Sequence, residues 1–89
     1  MDGHSVISPE VLARYAADAA AEVQGVRTKQ RRGAHVTGSE VEVHVVIDYG
    51  ASLPDVAAEV QRRVADYLQR MADQRPASVT VVVDDVARP

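Results

Sequence analysis

The segment from Val45 to Gln61, VVIDYGASLPDVAAEVQ, changes its hydrophobic period at Tyr49-Gly50. On the N-terminal side of this break, apolar and polar residues alternate, which predicts a strand with one buried face. On the C-terminal side, apolar residues recur every three or four positions, which predicts an amphipathic helix. The chain therefore passes directly from a sheet to a helix that must bury its apolar stripe against other elements.

The helix after the break has the clearest amphipathic pattern in the chain. Ser52 and Asp55 have the spacing of a capping box at its start, and Pro76 prevents its continuation. Glu59 and Arg63 stand four residues apart on the opposite, solvated side. The predicted apolar stripe consists of Leu53, Val56, Ala57, Val60, Val64, Tyr67, Leu68 and Met71.

An earlier helix is predicted near the N-terminus. Ser8 has the side chain of an N-cap, and Pro9 occupies the first helical position, where its missing N–H has no cost. Gly25 can adopt the left-handed conformation that ends a helix. We therefore expect a helix from Pro9 to Gln24. Its buried side is predicted to contain Val11, Leu12, Tyr15, Ala16, Ala19, Ala20 and Val23.

A β-hairpin is predicted between the two helices. The residues Thr37 to Glu40 read as its turn, and the alternating valines from Val41 onward form its second strand. If the loop is the two residues Gly38-Ser39, three cross-strand pairs follow. They are Val36 with Val41, His35 with Glu42, and Lys29 with Asp48.

The fold class predicted by these elements is α+β, in the order α-β-β-α-β. The residues SVTVVVD, Ser78 to Asp84, form the third strand. A right-handed crossover makes this strand parallel to the second one, so a three-stranded mixed sheet has both helices on one face. The basic first strand protects one edge of the sheet, whereas the third strand leaves the other edge unprotected. We expect a single domain over residues 1–89, with a flexible N-terminus at 1–7, a folded core at 8–86 and a tail at 87–89.

The composition restricts the classes of function. The chain has 89 residues, with no Cys, Phe or Trp, and a formal net charge of −3. Without cysteine it has neither disulfides nor thiolate ligands. The N-terminus lacks the pattern of a signal peptide, and no apolar run approaches the roughly 20 residues that cross a bilayer. We expect a soluble, cytoplasmic protein.

No catalytic arrangement is evident in the sequence. Asp84 and Asp85 are adjacent, and neighbours in a strand point to opposite faces. At the strand-to-helix break, Gly50 is a single glycine, and Ser52 and Asp55 already cap the helix N-terminus that could otherwise bind an anion. We expect a joint at this position and no enzyme.

Two polar clusters in the sequence could be binding sites or simply solvated side chains. His35, His44 and Glu42 could meet on the outer face of the hairpin, as metal ligands do, but two histidines on a solvated face are usually ordinary polar residues. We expect neither a metal nor a cofactor. His4 lies in the N-terminal segment that we expect to be flexible.

The second cluster is a basic segment, which could contact nucleic acid or an anionic lipid surface. No aromatic residue alternates with its cations to stack on bases, and the net charge is negative. A soluble edge strand is the simpler interpretation, and a small nucleic-acid-binding module remains the alternative function. The segment contains Arg27, Lys29, Arg31 and Arg32.

Two surfaces are stronger candidates for protein contacts. Ala13, Ala17 and Ala21 form a strip of small side chains along the first helix, although alanine is also the best helix former. On the outer sheet face, Val46 and Val82 would be neighbours if the second and third strands pair. An apolar patch beside an open edge is typical of weak self-association. The predicted polar rim of this patch is Glu42, Asp48, Thr80 and Asp84.

The sequence resembles the alkaline shock protein family, also described as the general-stress or envelope stress response family of Gram-positive bacteria. The resemblance lies in the stretches ISPEVLARYAADAAAEVQGV, VEVHVVIDYGASLPDVAAEVQRRVADYLQRM and VTVVVDDV. It is most specific at the helix exit Glu22–Val26, the Tyr49-Gly50 corner, the spacing of Val60-Gln61 and Val64, and the closing valine alternation. The resemblance implies a non-enzymatic stress protein that assembles with itself and lies beneath the membrane by binding a small membrane-anchored protein.

Overall fold

The computed structural model describes residues 7–27 and 33–88. Its sheet has the strand order β1-β2-β3, with β1 antiparallel and β3 parallel to β2. The predicted α+β class and the order α-β-β-α-β are confirmed. The elements are α1 (Pro9–Ala21), β1 (Ala34–Thr37), β2 (Glu40–Asp48), α2 (Leu53–Ala72) and β3 (Ser78–Ala87).

Helix α1 begins as predicted and ends earlier. The Ser8 hydroxyl oxygen accepts a hydrogen bond from the Val11 amide at 3.2 Å, and Pro9 opens the first turn. The prediction that α1 reaches Gln24 is wrong, because the helix ends at Ala21. After Ala21 the backbone forms turns that include Gly25, which has φ +99°. Val26 then forms an isolated β-bridge with Ile47 of β2. A longer helix would carry the chain away from the sheet.

Helix α2 begins at its predicted N-cap, where the Ser52 side chain accepts from the Asp55 amide. Leu53 and Met71, predicted within the apolar stripe, are instead 42% and 51% exposed. The buried residues follow i,i+4 spacing, so Ala72 rather than Met71 takes the last core position. They are Val56, Val60, Val64, Leu68 and Ala72.

The hairpin has the predicted register over its described part, with Val36 opposite Val41 and His35 opposite Glu42. The predicted pair of Lys29 with Asp48 lies outside the described residues, because positions 28–32 are not described. The amide of Asp48 donates to the Gly25 carbonyl oxygen at 2.8 Å, which fixes the chain after α1 to the end of β2.

Strand β3 is longer than predicted and contains a β-bulge. Val83 pairs with Val45, whereas Asp85 pairs with Val46, so Asp84 is an extra residue between two regular stretches. The strand continues to Ala87, which the sequence assigned to the tail and which is buried. The Ala87 carbonyl oxygen accepts a hydrogen bond from the Tyr49 amide at 2.8 Å.

The core lies between the two helices and one face of the sheet. Helix α1 packs over β1 and β2, helix α2 packs over β3, and the two helices contact each other. Tyr15 and Tyr67 meet edge to face between the helices, with ring centroids 5.9 Å apart. The buried strand residues of this core are Val41, Val43, Val45 and Ile47. The opposite face of the sheet, which neither described helix covers, is called the outer sheet face below.

Candidate interaction surface

The outer sheet face has a polar centre built from three strands. Because β2 alternates, Glu42 and His44 point away from the helices, opposite to Val43 and Val45. His35 of β1 lies beside His44, with ring centroids 6.0 Å apart and planes at 88°. An open groove of about 430 Å³ lies next to this centre, over His35, Glu42 and Thr80. The surface is therefore accessible to a partner.

His44 is held between two carboxylates. Its Nδ1 lies 3.0 Å from Oδ1 of Asp84, and its Nε2 lies 2.7 Å from Oε2 of Glu42. The hydrogen bond with Asp84, followed by the one with Glu42, raises the pKa of His44 above its usual 6.5. The imidazole thus links β2 to β3 across the outer sheet face.

The structure brings His35, His44 and Glu42 together as the hairpin register predicted. The arrangement is one of hydrogen bonds, since both ring nitrogens of His44 are directed at carboxylate oxygens and leave no lone pair for a metal. Within residues 7–27 and 33–88, no group of three His, Asp or Glu side chains is placed to hold a metal ion.

The predicted apolar patch of Val46 and Val82 needs correction. Val46 is fully buried, although it is not part of the core between helices and sheet, and its partner on β3 is Asp85. The residue beside Val82 is His44. The regular register, with Val83 opposite Val45, already places Val82 beside His44, and the extra residue Asp84 then brings Asp85 to Val46. Val82 is half-buried, and Thr80 is exposed.

The free edge of the sheet is β3. In the part of the chain that the structure describes, β3 pairs with β2 alone. Ser78 to Ala87 contains no Lys, Arg or Pro, the residues that commonly block pairing at an edge. The bulge at Asp84 interrupts the edge and leaves the six residues Ser78 to Val83 as its regular part.

The alanine strip and the basic segment differ in how much of each is described. Ala13, Ala17 and Ala21 are all half-buried along α1. Arg27 is engaged within the fold, since its Nε donates to Oδ1 of Asp48 at 2.6 Å and its Nη2 donates to the Ala87 carbonyl oxygen at 3.4 Å. The other three members of the segment, Lys29, Arg31 and Arg32, lie outside the described residues.

The strand-to-helix corner at Tyr49-Gly50 is a structural joint. Gly50 has φ +95°, and the amide of Ala51 donates to the Asp48 carbonyl oxygen. Tyr49 is 59% exposed, and the guanidinium carbon of Arg88 lies 4.6 Å from the centre of its ring. The corner is thus open to solvent. Its Tyr49 and Ala51 amides donate hydrogen bonds to backbone carbonyl oxygens, and the Ser52 side chain that follows caps α2.

A family model matches residues 27–88, described as the alkaline shock protein 23 family with a cell envelope-related function. This match covers more than half of the chain. The chain belongs to the alkaline shock protein 23 family. A search of curated proteins and a search of solved structures each gave no significant match.

The part matched to the alkaline shock protein 23 family contains β1, β2, α2 and β3, and it excludes α1. The outer sheet face and the free edge of β3 therefore lie inside the family region, whereas the alanine strip lies outside it. Among the helices of the described residues, none is long and apolar enough to span a bilayer.

Sequence reasoning missed the bond between His44 and Asp84 because it missed the bulge in β3. A signal was present in the order of the residues. Uninterrupted alternation after Val83 would place Asp85 beside Ile47 in the core, where an unpaired carboxylate is costly. One extra residue at Asp84 turns Asp85 outward and Val86 towards Ile47.

Proposed function

We propose that this chain is a non-enzymatic envelope and alkaline stress response protein that acts as a self-associating interaction domain. It works in the cytoplasm at the inner face of the cell membrane, where it binds a small membrane-anchored protein. The observation that carries the proposal is the free, regular edge of β3 in a chain whose family has a cell envelope-related function.

The edge supports self-association through its backbone groups. A strand with an unpaired edge offers N–H and C=O groups to another strand, and the regular part of β3 runs for six residues. No cation or proline lies in this regular part. The charged residues of β3, Asp84 and Asp85, come only at the bulge. A second copy of the chain, or an extended segment of a partner, would continue the sheet there.

The ionisable side chains support a role in binding. In the described residues, Arg27 pairs with Asp48, and Arg63 pairs with Glu59 on the solvated side of α2. His44 is occupied by two carboxylates. These side chains pair with one another, and the contacts do not direct a base at a nucleophile.

The test of self-association is to place a charge beside the edge. Thr80 is exposed on β3, so Thr80→Lys adds a cation without opening the core. We expect the unmodified protein to associate with increasing concentration in sedimentation velocity, and Thr80→Lys to sediment as a monomer. The matched control is Ala58→Lys, at an exposed position of α2, and this variant should sediment like the unmodified protein. A monomer at every concentration would contradict self-association.

The partner is tested by recovering the tagged protein from its native cells. Co-purification of a small membrane protein supports the proposal, provided that Thr80→Lys or Ala17→Lys reduces its yield while Ala58→Lys does not. Recovery of RNA or DNA instead, with salt-dependent binding lost in the double variant Arg31→Glu, Arg32→Glu, would favour the nucleic-acid-binding alternative.

A further inference from the structure

The link between His44 and the bulge of β3 has the chemistry of a proton-dependent contact. We propose that protonated His44 clamps β2 to β3 on the outer sheet face and that loss of its proton loosens β3 from Asp84 onward. The fold would then contain a built-in response to rising pH, located beside the free edge of the sheet.

The geometry around His44 suits the protonated form of its ring. Carboxylate oxygens accept hydrogen bonds and donate none, so a ring nitrogen beside a carboxylate must carry the proton. Both nitrogens of His44 have such a neighbour, at 3.0 Å for Asp84 and 2.7 Å for Glu42. Only the imidazolium has two N–H donors.

The charged groups facing His44 come from all three strands. Glu42 belongs to β2 itself, Asp84 to β3, and His35 to β1. With His44 protonated, one cation lies between two anions. After deprotonation, neutral imidazole can donate to only one carboxylate, so one of the two contacts of His44 is lost.

The position of the clamp explains which segment should respond. Asp84 is the extra residue of the bulge, and the side chains after it reach their faces only because the bulge is maintained. Beyond it, Val86 pairs with Ile47, and Ala87 accepts a hydrogen bond from the Tyr49 amide. A bulge residue with one contact fewer should allow this C-terminal part of β3 to open more often, while Val79 and Val81 stay paired.

The direction of the pH effect follows from linkage. The folded pKa of His44 is raised above 6.5 by its hydrogen bonds with Asp84 and Glu42. A group with a raised folded pKa contributes its full stabilisation below the unfolded value and loses it as pH rises through the folded value. The clamp is therefore complete below pH 6.5 and is lost at more alkaline pH.

The first experiment is an NMR titration of the histidine rings in the full chain. We expect the midpoint of His44 to lie above 6.5 and to fall in Asp84→Asn and in Glu42→Gln. A His44 midpoint at or below 6.5 would overturn the proposal, as would a midpoint that neither variant lowers.

The second experiment measures amide hydrogen exchange against pH, corrected for the intrinsic rate. Protection of Val86 and Ala87 should fall with rising pH more steeply than protection of Val81. His44→Gln should give low protection at all pH values, and His44→Lys, which keeps a cation, should remove the pH dependence between pH 6.5 and 9. Arg62→Gln, on the exposed face of α2, is the control and should show the same pH dependence as the unmodified protein. Equal pH dependence on both sides of the bulge would overturn the proposal.

Discussion

Gly25 stands where the chain leaves α1 and turns towards the sheet. Its φ of +99° is unfavourable for a residue with a side chain, and a Cβ built on it would lie 2.8 Å from Cγ2 of Val56. The missing side chain allows the segment after α1 to contact α2 directly. Gly25 therefore has both a conformational and a packing role.

We predict that Gly25→Ala lowers the free energy of unfolding by about 2 kcal/mol, since it combines backbone strain with overpacking. Gly38→Ala is the matched control, because Gly38 also has positive φ, at +60°, but has open space around it. It should lose about 1 kcal/mol, from strain alone. Equal losses in urea unfolding would show that the contact with Val56 has no effect.

Local residue chemistry also marks where sequence reasoning succeeded. The N-caps Ser8 and Ser52 were predicted because each acts on backbone amides within three residues of itself. The C-terminus of α2 is harder to predict than the N-caps. Its C-cap is Asp73, which has φ 52° in the left-handed region, and this conformation is uncommon for a residue other than glycine. The end of α1 was also missed, because it depends on a bridge to β2 that is distant in sequence.

Among the elements, α2 has a line of buried residues that is narrower than its apolar stripe. Leu68 lies on this line and is 2% exposed, whereas Leu53 lies at the first turn and is 42% exposed. The two leucines are chemically identical and differ only in their surroundings. Their energetic contributions should differ accordingly.

We expect Leu68→Ala to lower the free energy of unfolding by about 3 kcal/mol, because it removes buried methyl groups and leaves a cavity. Leu53→Ala, the same change at the exposed position, should alter it by less than about 0.5 kcal/mol. Thermal and urea unfolding of both variants measure this difference. A large loss in Leu53→Ala would mean that α2 buries a wider face than described.

The presence of the three strands was predicted correctly, but the surface patch placed on them was not. Strand type, order and hairpin register were predicted from alternation and loop length, which act locally. The apolar patch was predicted by assuming that Val46 and Val82 become neighbours when the two strands pair, whereas the register places Val82 beside His44 and Asp85 beside Val46. The candidate surface was therefore placed on the correct face with an incorrect centre.

In the whole molecule, one side chain joins regions far apart in sequence. The guanidinium of Arg27 binds the carboxylate of Asp48 at the end of β2 and the carbonyl oxygen of Ala87 at the end of β3. The sequence showed Arg27 only as part of a basic segment, because its partners are 21 and 60 residues away. Long-range contacts of this kind cannot be deduced from local pattern.

We predict that Arg27→Gln lowers the free energy of unfolding by about 1 kcal/mol, an amount limited by partial exposure of the pair to water. The control is Arg62→Gln, which removes an arginine that pairs with Glu59 and Asp66 inside the exposed face of α2. Its loss should be smaller, since that contact joins no separate elements. The reverse order of the two losses in urea unfolding would contradict the role assigned to Arg27.

The bulge also defines one place where the closing strand could be shortened. If Asp84 were deleted, Val83 would still face the helices beside Val45, and Val86 would still pair with Ile47. A homologue one residue shorter there would keep an identical interior and an uninterrupted ladder, and it would lack the carboxylate beside Nδ1 of His44. Natural length variation at this single position would therefore separate the architecture of the domain from its response to alkali.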